Sequence, residues 1–223
     1  MRIAAVIVSR KGSKRILNKS KQKIKNQNLI ERKISQLKKV KLIDKIYLGT
    51  NDISLKNLSL KYKINFVKRE EKYCNESKTN AKEMIKNMLK YVDADVILWA
   101  HPTNPFINEK LYNDAIKAFK RSKRKYDSLF SVTTLKNHFW DHKKKPINHD
   151  PFAKKHIIAG KLQPIYAQNG GIFIRFRKDM IMDGGFVGKR PLIFEMNEIQ
   201  GWDIDYPWQL KIARSLVKFG YAK

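Results

Sequence analysis

The chain has 223 residues, 42% of them hydrophobic, with one cysteine and a formal net charge of +28 from 48 Lys and Arg against 20 Asp and Glu. A single cysteine, Cys74, excludes an internal disulfide and a multi-cysteine zinc cluster and fits a reducing cytoplasm. No run approaches the roughly 20 apolar residues of a membrane span, and the N-terminal run is too short for a signal sequence, so a cytoplasmic, unprocessed protein is expected. With no linker-like stretch or repeat to divide it, the expectation is one domain over residues 1–223. The charge admits polyanions, but the lysines are scattered through helices and turns instead of forming one stripe with interleaved aromatics. No specific nucleic-acid partner and no membrane partner are therefore expected, only weak association with polyanions at low salt.

"RIAAVIV" opens the chain as a continuous apolar run suited to a strand buried on both faces. "LIERKISQLKKV" then puts Leu29, Ile30, Ile34, Leu37 and Val40 at helical spacing. The alternation continues through the strand "KIYLGT", the helix "ISLKNLSLKY" and the strand "INFV". In "TNAKEMIKNMLKYV" a helical face carries Met84, Met88 and Val92; "ADVILWA" is a further buried strand. "NEKLYNDAIKAFKR" predicts a helix capped by Asn108, followed by the strand "YDSLFSVTT". The segment from Leu135 to Gln168 breaks this rhythm and predicts an inserted arm. Strands resume at "GGIFIRF" and "PLIFEM", and "YPWQLKIARSLVKFG" closes as a helix with Pro207 at its start and Gly220 at its end. The pattern predicts an α/β fold, a doubly wound, mostly parallel sheet sandwiched by helices. In such sheets ligands bind beyond the carboxyl ends of the strands, here the loops after "AVIV", "VILWA" and "LIFEM".

The first of these loops, "SRKGSKRILNKS", gathers Arg10, Lys14 and Lys19, while Gly12 and Ser13 let backbone N–H groups approach an anion. It has the spacing of neither the Walker loop nor the G-x-G-x-x-G fingerprint. A triphosphate suits it; a solvated basic turn is the alternative. Near the other end, "GWDIDYPW" places Asp203 and Asp205 on one face of an extended segment, with Ile204 turned to the core. Two carboxylates suit Mg²⁺, whose remaining positions go to water and phosphate oxygens. Alternatively both acids merely favour the N-terminus of the following helix. His138, His142, His149 and His156 lack zinc-like spacing and read as arm surface.

Together "SRKGSKRILNKS", "HPTNPF" with "NGGIFI", and "DID" resemble the acylneuraminate cytidylyltransferase family, the CMP-sialic acid synthetases and their relatives. The likeness spans nearly the whole chain in the same order and implies a Rossmann-like nucleotidyltransferase fold. It further implies CTP over the first loop, with Ser9, Arg10, Gly12, Ser13, Lys14 and Lys19, and also Arg69 and Asn80, as nucleotide contacts. His101, Asn104, Asn169 and Gly170 would face the sugar acid, and Asp203 and Asp205 would hold Mg²⁺. Arg10, Lys14, Lys19 and Asp205 would carry the catalysis. Two departures bear on the sugar: His101 stands where the family often has glutamine, and the arm offers lysines and His156 but no arginine. Sialic acid, a legionaminic-like acid or another ulosonic acid remain open, and His101 reads equally as a ligand or as a satisfied half-buried histidine. The resemblance implies a homodimer joined through the arm. The other readings are a nucleotidyltransferase using another nucleotide or a sugar phosphate, and a basic polyanion-binding protein without catalysis.

Overall fold

The structure, a computed structural model, describes residues 1–75, 77–122 and 125–222. Strand β1 (Ile3–Val8) is followed by a two-stranded hairpin, β2 (Lys23–Ile24) and β3 (Gln27–Asn28), and by helix α1 (Leu29–Lys38). Then come β4 (Lys45–Thr50), α2 (Lys56–Tyr62), β5 (Asn65–Lys68), α3 (Ala81–Leu89), β6 (Val96–Trp99), α4 (Glu109–Arg121) and β7 (Ser128–Leu135). The chain ends with β8 (Ile165–Phe176), α5 (Arg177–Asp183), β9 (Pro191–Met196) and α6 (Pro207–Lys218).

Seven strands form one sheet in the order β5-β4-β1-β6-β8-β7-β9. All run parallel except β8, which is antiparallel to both of its neighbours. The continuous apolar runs read from the sequence are the central strands, because a strand covered on both faces has no polar side to show: β6 is buried throughout. One face packs Ile30, Ile34 and Leu37 of α1 with Tyr112, Ile116 and Phe119 of α4. The other packs Ile85, Met88 and Leu89 of α3 with Met180 of α5. The sheet is therefore doubly wound, as the alternation of strand and helix periods required.

Three helices begin on asparagine caps. Asn28, Asn80 and Asn108 each accept, through the side-chain oxygen, the amide of the residue three positions on. The cap foreseen at Asn108 is among them. Helix α5 went unread in the sequence because its seven residues offer little periodicity, and Met180 is its one buried side chain.

The irregular excursion covers residues 136–164, shorter at both ends than the segment from Leu135 to Gln168. Leu135 closes β7, and residues 165–168 of β8 pair with residues 132–135. This outer ribbon alternates half-buried and exposed residues beyond the cover of the helices, so it carries no apolar run to betray a strand. Within the excursion the rings of His138, His149 and His156 pack on one another at 4.8 and 5.2 Å between centroids, with Trp140 against His149. They form a ring cluster on the arm in which His138 and His149 are half-buried and His156 exposed, and His142 is exposed as well. Among the described residues no group of three or more His, Cys, Asp or Glu could hold a metal ion. No helix there is long and apolar enough to cross a membrane.

A third apolar cluster brings the ends of the chain together. Ile16 of the first loop, Ile24, Leu29 and Phe106 pack with Ile204, Leu210, Ala213 and Val217. Apolar packing at this scale contributes about 1.5–3 kcal/mol per large side chain and fixes where α6 and the segment before it can lie.

Candidate active site

A cleft of about 500 Å³ opens at the carboxyl ends of β1, β5 and β6. Its floor is the loop after β1. Ser9 donates its amide to the Gly49 carbonyl and Lys11 to Asn51 Oδ1, while Ile16 is buried in the third cluster, so the loop is held at three points. Gly12 adopts φ +78°, which L side chains rarely adopt, and turns the chain there without lining the cleft. Of the six cations in the loop, Arg10, Lys14, Arg15 and Lys19 line the cleft. Lys21 is instead spent on Asp52, at 2.6 Å.

Lys19 closes the arrangement. Its Nζ donates to the Ile204 carbonyl at 3.0 Å and to Asp205 Oδ1 at 2.8 Å. Arg15 reaches the same carboxylate at 3.3 Å and lies over the Tyr206 ring. Partial burial pushes the Asp205 carboxyl up, but the hydrogen bond and charge of Lys19, with Arg15, outweigh it and hold it below the ordinary carboxylate range. Asp205 is held from the backbone as well, because Gln209 Oε1 accepts the amides of Asp205 and Tyr206, both at 2.7 Å. The alternation foreseen in "DID" is present: Ile204 is fully buried between the two aspartates. Asp203 Oδ1 is shut off from solvent with no hydrogen-bond partner. An enclosed carboxylate oxygen without a partner is one that a cation could satisfy, and the pair's fit to Mg²⁺ rests on it; of the two aspartates only Asp205 lines the cleft.

One wall of the cleft holds Arg69, Tyr73, Cys74 and Met84. Arg69 is buried, its guanidinium donates to the Tyr73 carbonyl, and its Nε has no partner. Asn75, Thr79 and Asn80 join it, and Asn80 serves at once as the cap of α3. The opposite wall is His101, Pro102 and Thr103 after β6. His101 Nδ1 meets the Gly170 carbonyl at 2.6 Å, and burial pushes its pKa below the ordinary imidazole value.

Asn104, Asn169 and Gly170, expected from the sequence to face the sugar acid, do not line this cleft and stand behind it. Asn104 is fully buried, and its Nδ2 donates to the carbonyls of Asn169 and Trp202. The Asn169 side chain is engaged by Ser131, Gly171 and Thr133. Asn104 Nδ2 and the Asn169 side chain are taken up in joining the "HPTNP" loop, β8 and the aspartate segment, while Asn104 Oδ1 is enclosed without a partner. Arg15, by contrast, reaches the site without having been singled out; the signal was an arginine five residues after Arg10 in a loop already read as phosphate-holding.

Behind the loop α1 supplies an unusual support. Lys33 is fully buried, with Nζ bonded to the Asn104 carbonyl at 2.8 Å and the Tyr112 hydroxyl at 2.7 Å. Arg32 Nε and Gln36 Nε2 both donate to the Pro105 carbonyl. Burial drives the Lys33 pKa well below 10.5. Between that depressed value and 10.5 the unfolded chain binds more protons than the folded one, so this group makes stability rise with pH through that window. Urea midpoints measured at pH 7 and pH 9.5 are expected to rise more in the wild type than in Lys33→Met. Equal rises would show that the amine is charged when folded.

Fold and cleft together define a doubly wound α/β protein whose strand-end cations face the Asp205 carboxylate. A family model described as cytidylyltransferase matches residues 4–209, and the chain belongs to that family. It is 23% identical to the N-acylneuraminate cytidylyltransferase of Escherichia coli O18:K1:H7 over 95% of this chain, and spans 51% of that protein's length. It is 25% identical to the CMP-N,N'-diacetyllegionaminic acid synthase of Legionella pneumophila, over 98% of this chain and 97% of that one. The flagellin modification protein B of Campylobacter coli is 26% identical, over 97% of this chain and 95% of the relative. Among solved structures, CMP:2-keto-3-deoxy-manno-octonic acid synthetase complexed with CTP superposes with a TM-score of 0.67 at 13% identity, over 99% of this chain and all of that one. The 4-diphosphocytidyl-2C-methyl-D-erythritol synthase of Anaerococcus prevotii gives 0.68 at 16%, over 97% and 98%.

Proposed function

We propose that the chain is a cytoplasmic CMP-sugar synthetase: it transfers CMP from CTP to the anomeric hydroxyl of a sialic, legionaminic or related ulosonic acid and releases pyrophosphate. The observation that carries this reading is the 2.8 Å contact of Lys19 with Asp205, which brings the cationic loop after β1 and the second of the late aspartates to one cleft. The names of the similar proteins from Escherichia coli and Legionella pneumophila support the sugar-acid class. Arg10, Lys14, Arg15 and Lys19 would grip the triphosphate and offset charge on the departing pyrophosphate. Arg69 and Asn80, on the wall beside α3, would take the nucleoside end, leaving the His101 wall to the sugar acid. Asp203 and Asp205 would hold Mg²⁺, which when bound supplies positive charge to the reacting phosphate and acidifies the attacking hydroxyl. The chain's own part is in-line positioning and fixed charge. The arm exposes Phe152, 92% accessible, with Trp140, Ile147 and Ile158, and a second copy would cover them in a homodimer.

The test is pyrophosphate release from CTP with Mg²⁺ and a panel of ulosonic acids, with the sedimentation coefficient measured on the same preparation. Turnover by a dimer is the expected result. Turnover only with a sugar phosphate or another nucleotide, or no turnover together with steeply salt-dependent RNA binding, overturns the activity, and a monomer overturns the assembly.

A further inference from the structure

His101 is held in one orientation and one tautomer. Gly170 adopts φ +71° and aims its carbonyl at Nδ1, at 2.6 Å. A carbonyl oxygen only accepts, so Nδ1 carries the proton. The ring meets Phe173 and Phe186 edge-on, each at 6.0 Å between centroids, and these two stack on each other at 4.6 Å. Burial, the largest influence on the ring, favours its neutral form. Nε2 is then a bare acceptor. It is not among the enclosed polar atoms, no described side chain bonds to it, and the residue lines the cleft.

The ring lies at the end of the cleft where Lys19, Asp203 and Asp205 all act on it electrostatically. A ligand at this end of the cleft has the imidazole in its wall. A hydroxyl or amide N–H there gains a hydrogen bond, whereas an acceptor-only atom places two lone pairs against each other in a site partly closed to water.

We propose that His101 sets specificity for the sugar acid: Nε2 accepts a hydrogen bond from one substituent, so this chain selects substrates that present a donor at that point and rejects those that present only an acceptor. The proposal rests on the activity given above and adds the chemistry of one substituent. An amide side chain at this position would not discriminate in this way, since it can turn to offer either its oxygen or its NH₂.

The experiment uses a sugar acid that the wild-type protein turns over and a series of its analogues, each with one hydroxyl other than the anomeric one, or an amide-bearing group, replaced by fluorine, a small substituent that donates nothing. At one position the wild type is expected to lose at least about 30-fold in kcat/KM, the scale of an unpaired polar group in a built site. In His101→Phe that ratio falls to within about 3-fold, while the ratios at the other positions and the KM for CTP hold. His101→Gln lowers the same ratio by offering a donor, and carries the test should the phenylalanine variant not fold. Ratios that match the wild type at every position in both variants overturn the proposal. A wild-type protein that turns over no sugar acid overturns the proposed function itself and this inference with it.

Discussion

Lys19→Ala is expected to cut turnover with CTP and a sugar acid at least ~100-fold while the thermal midpoint stays within a few degrees of the wild type. The Lys19 side chain is only 17% accessible, and its ammonium is fixed between a backbone carbonyl and a carboxylate. A charge so placed needs no reorganisation when negative charge builds on a transferring phosphoryl group, and that is where electrostatic catalysis is largest. Its contribution to folding is small by comparison, because the partner Asp205 keeps 38% of its side chain exposed and water screens the pair. Asp205→Ala is expected to behave alike. Pyrophosphate release and a thermal melt on the same sample separate the two roles. A melt that falls steeply with a near-normal rate would make Lys19 a structural tether only.

The fold was largely legible in the chain because burial on both faces leaves a run with no polar alternation, as in "RIAAVIV" and "ADVILWA". The site was legible in part. Charge and spacing named Arg10, Lys14, Lys19, Asp203 and Asp205, and all but Asp203 line one cleft. What the sequence could not supply was depth. Asn104 and His101 stand three residues apart in "HPTNP", yet one is wholly enclosed and the other faces the cleft. No periodicity distinguishes them, since the loop's path is decided by contacts with α1, β8 and the aspartate segment, all distant in sequence. Lys33 shows the same limit from the other side. A lysine on a helix reads as solvated surface, and only the carbonyl and phenol that meet it at the end of its stem account for its burial.

That depth gives Asn104 a different expected phenotype from a substrate contact. Its Nδ2 holds the Asn169 carbonyl at 2.9 Å and the Trp202 carbonyl at 3.3 Å, and its own carbonyl is held by Lys33. Asn104→Ala leaves two backbone acceptors without their donor, which at about 1–3 kcal/mol each gives a loss of about 2–6 kcal/mol and a fall of about 4–24 °C in Tm. The same two bonds set the distance between the strand that fixes His101 and the segment that carries Asp203 and Asp205. Relaxing them by about 1 Å moves the sugar acid off line with the phosphate, a displacement that lowers kcat on the order of 100-fold. A residue that merely touched the sugar would instead raise the KM for the sugar acid and leave Tm unchanged, so kinetics and melting of this one variant decide whether the amide works on the substrate or on the walls around it.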